Sequence, residues 1–380
     1  MSLLRRLCHV RRCHFGAVAV VVCPPRMRTA LAMLGICVVG FGCARSPGRA
    51  APAQPVVSAE ERVVIEGKVR EHLELPASAA LGAAELARVT ELNLSREPVS
   101  DAGVAWLSDP ATGLSALTTL NLQHTRVTDA GLKTLADKDT GLRGLRSLFL
   151  AVTKVTDVGV KELARAGTGV QGLTTLDLRN TQVTDVGVAD LARADTGVRG
   201  LTTLDLSFTQ VTDAGVKQLA GTDTGVKGLT TLGLASTKVA DAGLMHLADK
   251  HTGLKSLLVL NLAFTQVTDA GMKPLARAET GLKVLSSLFL HGTQVTDAGV
   301  KELAHAETGL HGLSTLDLGR TQVTDAGVKD LARVDTGLKG LSTLHLGDTQ
   351  VTDTGAAAVK ARWPAIEVSG AFTRSGGSPN

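Results

Sequence analysis

The 380-residue sequence contains no tyrosine, two tryptophans and seven phenylalanines. A globular core usually draws much of its buried area from aromatic rings, so here Leu, Val and Ala must supply it. Cysteine is equally confined. Cys8, Cys13, Cys23, Cys37 and Cys43 all precede residue 44, and the rest of the chain has none. A disulfide framework and a thiolate metal site are therefore excluded from the folded body. Also missing are an HExxH pattern, a GxSxG elbow, a Walker loop and a GxGxxG turn after a strand. The ten histidines show no zinc spacing; His305 and His311 straddle a predicted helix end and a loop. No cofactor and no metal are implied.

The chain also lacks basicity of its own. The formal charge is +4, from 40 Lys and Arg against 36 Asp and Glu. Residues 1–43 hold six Arg and no acid, so the rest has 34 against 36, a net charge of −2. Phosphate binding wants a concentrated positive patch, and nucleic acid is not an expected partner.

Residues 1–43 read as a leader. In "MRTALAMLGICVVGFGC" (27–43), Arg28 precedes an apolar run over 29–42, and small residues precede Cys43, the anatomy of a secretory signal. The run falls short of the roughly 20 apolar residues of a membrane span. Its end resembles a bacterial lipoprotein signal, which implies lipidation at Cys43 and membrane attachment through it; Gly40 departs from the Leu usual there. Met27 is the expected start, because a leader beginning there is already complete. Residues 44–58 are rich in Pro, Ala and Gly and read as a flexible tether, and 369–380 as a disordered tail.

What the sequence has in abundance is itself. The Asp of a recurring VTD-type signature sits at 101, 129, 157, 185, 213, 241, 269, 297, 325 and 353, a constant period of 28 with no insertion. Numbered with that Asp as position 13, the unit is LxxLxLxxTxVTDxGVxxLAxxxTGLxG. Positions 4 and 6 alternate around one free position, giving a short strand with one buried face. Position 13 opens a helix, with Thr-Asp supplying a capping oxygen and a negative charge at its positive end. The Thr-Gly pair at positions 24 and 25 of the unit is expected to end that helix by a left-handed turn. Pro274, inside the seventh helix, is expected to cost a backbone bond and bend it.

One strand and one helix cannot bury their Leu and Val alone, but stacked units can. Parallel strands about 4.8 Å apart would carry ten copies over roughly 43 Å. Position 9 is Thr in nine copies, Thr125 to Thr349, and is expected to form a hydroxyl ladder from coil to coil. The glycine at position 15, present in every copy from Gly103 to Gly355, is expected to permit close packing. Residues 59–88 form an amphipathic N-terminal cap, and 89–368 the array.

This unit resembles the leucine-rich repeat family, in its longer, helix-containing class, and its VTD half is similar to the cysteine-containing subtype. The resemblance implies an α/β solenoid, a horseshoe of about ten repeats with parallel strands on the concave face and helices on the convex face. It also implies a recognition scaffold rather than an enzyme, binding a protein or peptide on the concave face. Individuality then resides at the free strand positions and the exit from the strand. The candidate partner-binding residues are Phe149, Asp177, Arg179, Asp205, Phe208, Phe264, Phe289, His291 and Arg320. Two rival readings stay open. One is an intracellular substrate receptor like the F-box-associated arrays; the other is an enzyme using the stripe Asn121, Asp177, Asp205, Asn261 and Asp317.

Overall fold

The computed structural model describes residues 56–370. The leader with Cys43, the tether up to residue 55 and residues 371–380 lie outside the described residues. Three-residue strands recur along the chain: β1 (Glu91–Asn93), β2 (Thr119–Asn121), β3 (Ser147–Phe149), β4 (Thr175–Asp177), β5 (Thr203–Asp205), β6 (Thr231–Gly233), β7 (Val259–Asn261), β8 (Ser287–Phe289), β9 (Thr315–Asp317), β10 (Thr343–His345) and β11 (Glu367–Ser369). They form one parallel sheet in sequence order. The fold is an α/β leucine-rich-repeat solenoid.

Register follows from the period. Leu120 lies opposite Leu148, Leu148 opposite Leu176, and so on along the sheet. The leucines before and after them in each coil are also buried, and with the helix Val and Leu they make one continuous cluster. Each coil returns through a short helix opening at its signature Asp, such as Asp157–Ala164, Asp213–Leu219 or Asp325–Leu331. The Thr before the Asp is the N-cap; its hydroxyl accepts from the backbone N–H two residues on, as Thr184 does from Val186.

The signature Asp does more than favour its own helix. Asp185 accepts from the next coil: Thr212 N–H at 2.8 Å, the Thr212 hydroxyl at 2.7 Å and Gly215 N–H at 3.0 Å. The same carboxylate-to-Thr pairing joins Asp101 to Thr128, Asp129 to Thr156, Asp157 to Thr184, Asp241 to Thr268, Asp269 to Thr296, Asp297 to Thr324 and Asp325 to Thr352. At Asp213 the ladder is thinner, because Ala240 offers only its N–H. The repeat glycine is explained by the same contact. A Cβ on Gly215 would lie 2.5 Å from Asp185 Oδ1, so the glycine makes room for the carboxylate.

The cap enters this ladder. Helix Ala59–His72 places Ile65 and Val69 in the common core and Glu61 against the first coil. Glu61 accepts from Ser100 N–H at 2.6 Å and from the Ser100 hydroxyl at 3.1 Å. A glutamate from the cap thus stands where every later coil receives an aspartate.

Several expectations need correction. The position-9 threonines do not bridge coils: each donates to the carbonyl three residues back in its own coil, as Thr181 does to Leu178 at 2.6 Å. They are buried because they close the turn after the strand. The inter-coil hydroxyl role belongs to position 12. The helices of the first nine coils end at position 19 or 20, before the Thr-Gly pair, and the positive-φ glycines do not include Gly197, Gly225 or Gly253. Gly113 in the first coil, which follows a 3₁₀ turn, does have positive φ. The others are close-approach sites instead. Gly197 N–H donates to Ala164 O of the preceding coil at 2.7 Å. Pro274 offers no backbone N–H, so its own helix bond is missing; the helix, Asp269–Leu275, nonetheless spans the same positions as Asp297–Leu303, and Ala276 N–H donates to Met272 O at 3.0 Å. Finally, the last return is shorter than the period: Glu367, rather than residue 371, pairs with Thr343. A strand, β11, therefore occupies the place where residue 369 was expected to begin the tail.

Burial acts to raise the Asp325 carboxyl. Hydrogen bonds from Thr352 N–H and its hydroxyl, the Lys329 charge and Gly355 N–H outweigh it and hold the group below the ordinary range. A depressed folded value contributes stability above the unfolded pKa, about 3.9, and loses it as pH falls through the folded value. Denaturation midpoints should therefore drop below about pH 4, and Asp325→Ala should flatten that drop. Asp185→Ala should cost about 2 kcal/mol, because it strands donors that now meet a charged acceptor. Ala240→Thr should add about 1 kcal/mol through the missing cap and rung. Chemical denaturation of each variant checks both signs.

Candidate functional site

The open face of the sheet presents positions 3 and 5 of each coil, on either side of the buried central Leu. Position 5 is mostly Asn or Asp, and the geometry gives it a structural duty. The side chain accepts from the backbone N–H two residues on: Asn93 from Ser95, Asn121 from Gln123, Asp177 from Arg179, Asp205 from Ser207, Asn261 from Ala263 and Asp317 from Gly319, all at 2.9–3.0 Å. Such Asx turns shape the strand exit. The stripe weighed above as a catalytic row is thus engaged in turn formation. Among the described residues, no group of three or more His, Cys, Asp or Glu could hold a metal ion.

Asp177 is corrected further. It is 4 % exposed, not a free contact. Arg179 donates to it through Nε at 3.0 Å and Nη2 at 2.8 Å, and Gln123 Nε2 reaches it at 3.0 Å from two coils away. Arg179 also lies 3.6 Å from Asp205. The hydrogen bond to Asp177, opposed by burial and aided by both carboxylate charges, raises the guanidinium above its usual value. Asp205 additionally accepts from the Ser207 hydroxyl at 2.6 Å. Arg320 pairs with Asp348 at 3.0 Å, far along the sheet from this network.

The aromatic candidates divide into two groups. Phe149 and Phe289 take position 5 in β3 and β8, half-buried on the sheet. Phe208 and Phe264 sit at position 8, just past the strand, 57 % and 48 % exposed. The Phe264 ring meets His291 edge to face, with centroids 4.9 Å apart, and covers Gly292, where a Cβ would lie 2.5 Å from the ring. His291 in turn is 3.7 Å from Asp317. Phe264 and His291 are therefore brought together, with Phe289 on β8 two residues before His291, while Phe149, Phe208 and Arg320 stand apart.

Two features escaped the sequence reading. The first is Leu258-Val259, which replaces the Thr or Ser of most other coils at positions 2 and 3; Leu258 is 42 % exposed. The departure from a hydroxyl pair was its available signal. The second is the backbone at position 8, which has positive φ in every coil from Arg96 to Asp348. Asn180 and Gly292 suit that conformation, whereas Phe208 (φ 59°), Phe264 (φ 57°) and Val152 (φ 57°) do not. Each bulky residue there costs roughly 1–2 kcal/mol.

A family model described as "Leucine Rich repeat" matches residues 114–136, 172–192, 201–220, 253–276, 311–332 and 340–360. The chain is a leucine-rich repeat protein. No curated protein matches its sequence. Among solved structures, it is similar to an internalin (inlF) from Listeria monocytogenes, at 20 % identity over 82 % of this chain and 90 % of that one, with a TM-score of 0.49. It is also similar to the functional domain of InlJ from Listeria monocytogenes, at 16 % identity over 79 % and 52 %, TM-score 0.44. A TLR13–ssRNA13 complex aligns at 19 % identity over 72 % and 38 %, TM-score 0.44. No helix among the described residues of this leucine-rich repeat chain is long and apolar enough to cross a membrane.

The Asx turns and the Asp177 network make a stability prediction. Arg179→Ala should destabilise by about 2 kcal/mol, since it leaves a buried carboxylate with fewer partners. Arg320→Ala, which breaks only an exposed pair, should change stability by less than about 1 kcal/mol. Urea melts of the two variants provide the comparison.

Proposed function

We propose that this chain is a non-enzymatic recognition protein that binds another protein or peptide across the open face of its sheet. The observation that carries the reading is the apolar group at β7–β8. There Leu258 and Val259 replace hydroxyl residues, Phe289 replaces the turn-forming Asn or Asp, and the Phe264 ring meets His291, two residues past Phe289. The period requires none of these residues, and other coils fold without them. A large apolar side chain left partly in water on an otherwise polar face marks a contact site.

The polar candidates divide by the same logic. Asp177, Arg179 and Asp205 hold one another and shape the sheet, so they frame the contact; Arg320 stands in an exposed pair of the rim class, which contributes little binding energy. The leader places the protein outside the cytoplasm, in the cell envelope and tethered through a lipidated Cys43. That reading rests on the Arg28-led apolar run and the small residues before the cysteine. Mass spectrometry of the mature protein should find Cys43 as its modified first residue; a peptide containing Cys8 or Cys23 would contradict it.

The contact site has its own test. Combining Leu258→Ser, Phe264→Ser and Phe289→Ser should leave the circular dichroism spectrum unchanged and weaken binding of a partner captured from the native envelope by at least about a hundredfold, as expected when several hot-spot residues are lost together. Undiminished capture would move the contact elsewhere.

A further inference from the structure

The strand exits form a second surface beside the sheet. Position 8 projects there from every coil, always with positive φ. The sequence at that position alternates in size through the middle of the array: Val152, Asn180, Phe208, Ser236, Phe264, Gly292. Large apolar residues thus recur in every second coil, with a small residue between them. Val152 and Phe208 are 36 % and 57 % exposed and Phe264 is 48 % exposed. The small residues suit the left-handed backbone and the large ones oppose it. An outlier that the fold does not require, repeated at a fixed interval on one edge, points to use.

Spacing and charge describe what fits. Adjacent coils lie about 4.8 Å apart along the sheet, so knobs in alternate coils are about 9.6 Å apart. Seven residues of α-helix rise about 10.5 Å, which nearly matches. A helix laid along this edge can place one side chain over Asn180 and another, one heptad on, over Ser236. Exposed Arg126, Lys154 and Lys238 stand two positions past the same row. None of the three forms an ion pair among the described residues. We infer that this edge docks an amphipathic α-helix of a partner protein, with apolar residues at heptad spacing flanked by Asp and Glu. This rests on the reading of the chain as a recognition protein and names the partner's chemistry, on an edge that shares only Phe264 with the β7–β8 group.

The test is selection of a displayed library of three-heptad peptides against the full chain, followed by titration of the enriched peptide in synthetic form. The enriched peptides should carry the acidic heptad pattern. Phe208→Asn should weaken their binding about tenfold or more while raising Tm, because Asn accepts the backbone there. Lys154→Glu with Lys238→Glu should weaken it and confer a preference for a Lys-flanked version of the peptide. Leu258→Ser with Phe289→Ser should leave it unchanged. Enrichment of extended, proline-rich or basic peptides, or no enrichment, overturns the inference. Peptides that lose binding with Leu258→Ser and Phe289→Ser but not with Phe208→Asn overturn it while upholding recognition at the sheet.

Discussion

Every coil of this protein is fastened to the next by one carboxylate. The signature Asp sits in the first turn of its own helix, where the helix dipole favours it, and reaches across to the Thr and Gly that begin the next helix. Three constraints of the repeat then share one cause. Thr at position 12 caps its own helix and donates to the preceding Asp. Gly at position 15 leaves the carboxylate room and, at Gly131, Gly187, Gly215 and Gly299, also donates its N–H to it. The fixed period keeps these groups in register, so one inserted residue would break the contact on both sides. The hydrophobic core alone would tolerate some sliding of aliphatic layers; the polar ladder sets the register.

The same logic explains how the array begins. A solenoid needs its first coil covered, and apolar residues such as Ile65 and Val69 do that work. The cap adds Glu61 in the place of the absent Asp. Its side chain is one methylene longer and comes from a helix of different origin, yet it meets the equivalent N–H and hydroxyl, with Ser100 in the place of Thr.

Much of this was legible in the sequence. The strand, the helix start and the stacking all follow from a period that repeats without insertion. The ladder was not legible, because its partners stand a full coil apart in the sequence and meet only when one coil is laid on the next. Thr181 and its counterparts misled for a related reason. Their hydroxyls could serve either the local turn or the neighbouring coil, and the backbone geometry of the turn decides. Asp177 read as a free surface group because Gln123, which buries it, comes from two coils away. The positive φ at position 8 was masked by the residues there, since His124, Asn180, Gly292 and Asp348, which tolerate it, are mixed with Arg, Val, Ser and Phe.

These findings separate residues that hold the fold from residues that the fold merely carries. The Asp of position 13 and the Asn or Asp of position 5 are engaged in ladder and turn, and the repeat threonines in caps and turn closure. What remains unexplained by folding is a short set of apolar side chains, on β7–β8 and along the strand exits. Function is read from that remainder. Its soundness depends on the ladder being the element that orders the array. Native-state hydrogen exchange measures this directly. The account predicts that the amides of Thr212 and Gly215 are protected as strongly as those of Leu204 and Leu206 in the adjoining strand, and that Asp185→Ala removes that protection. Exchange of Thr212 and Gly215 in the native protein at the rate of exposed loops would contradict it.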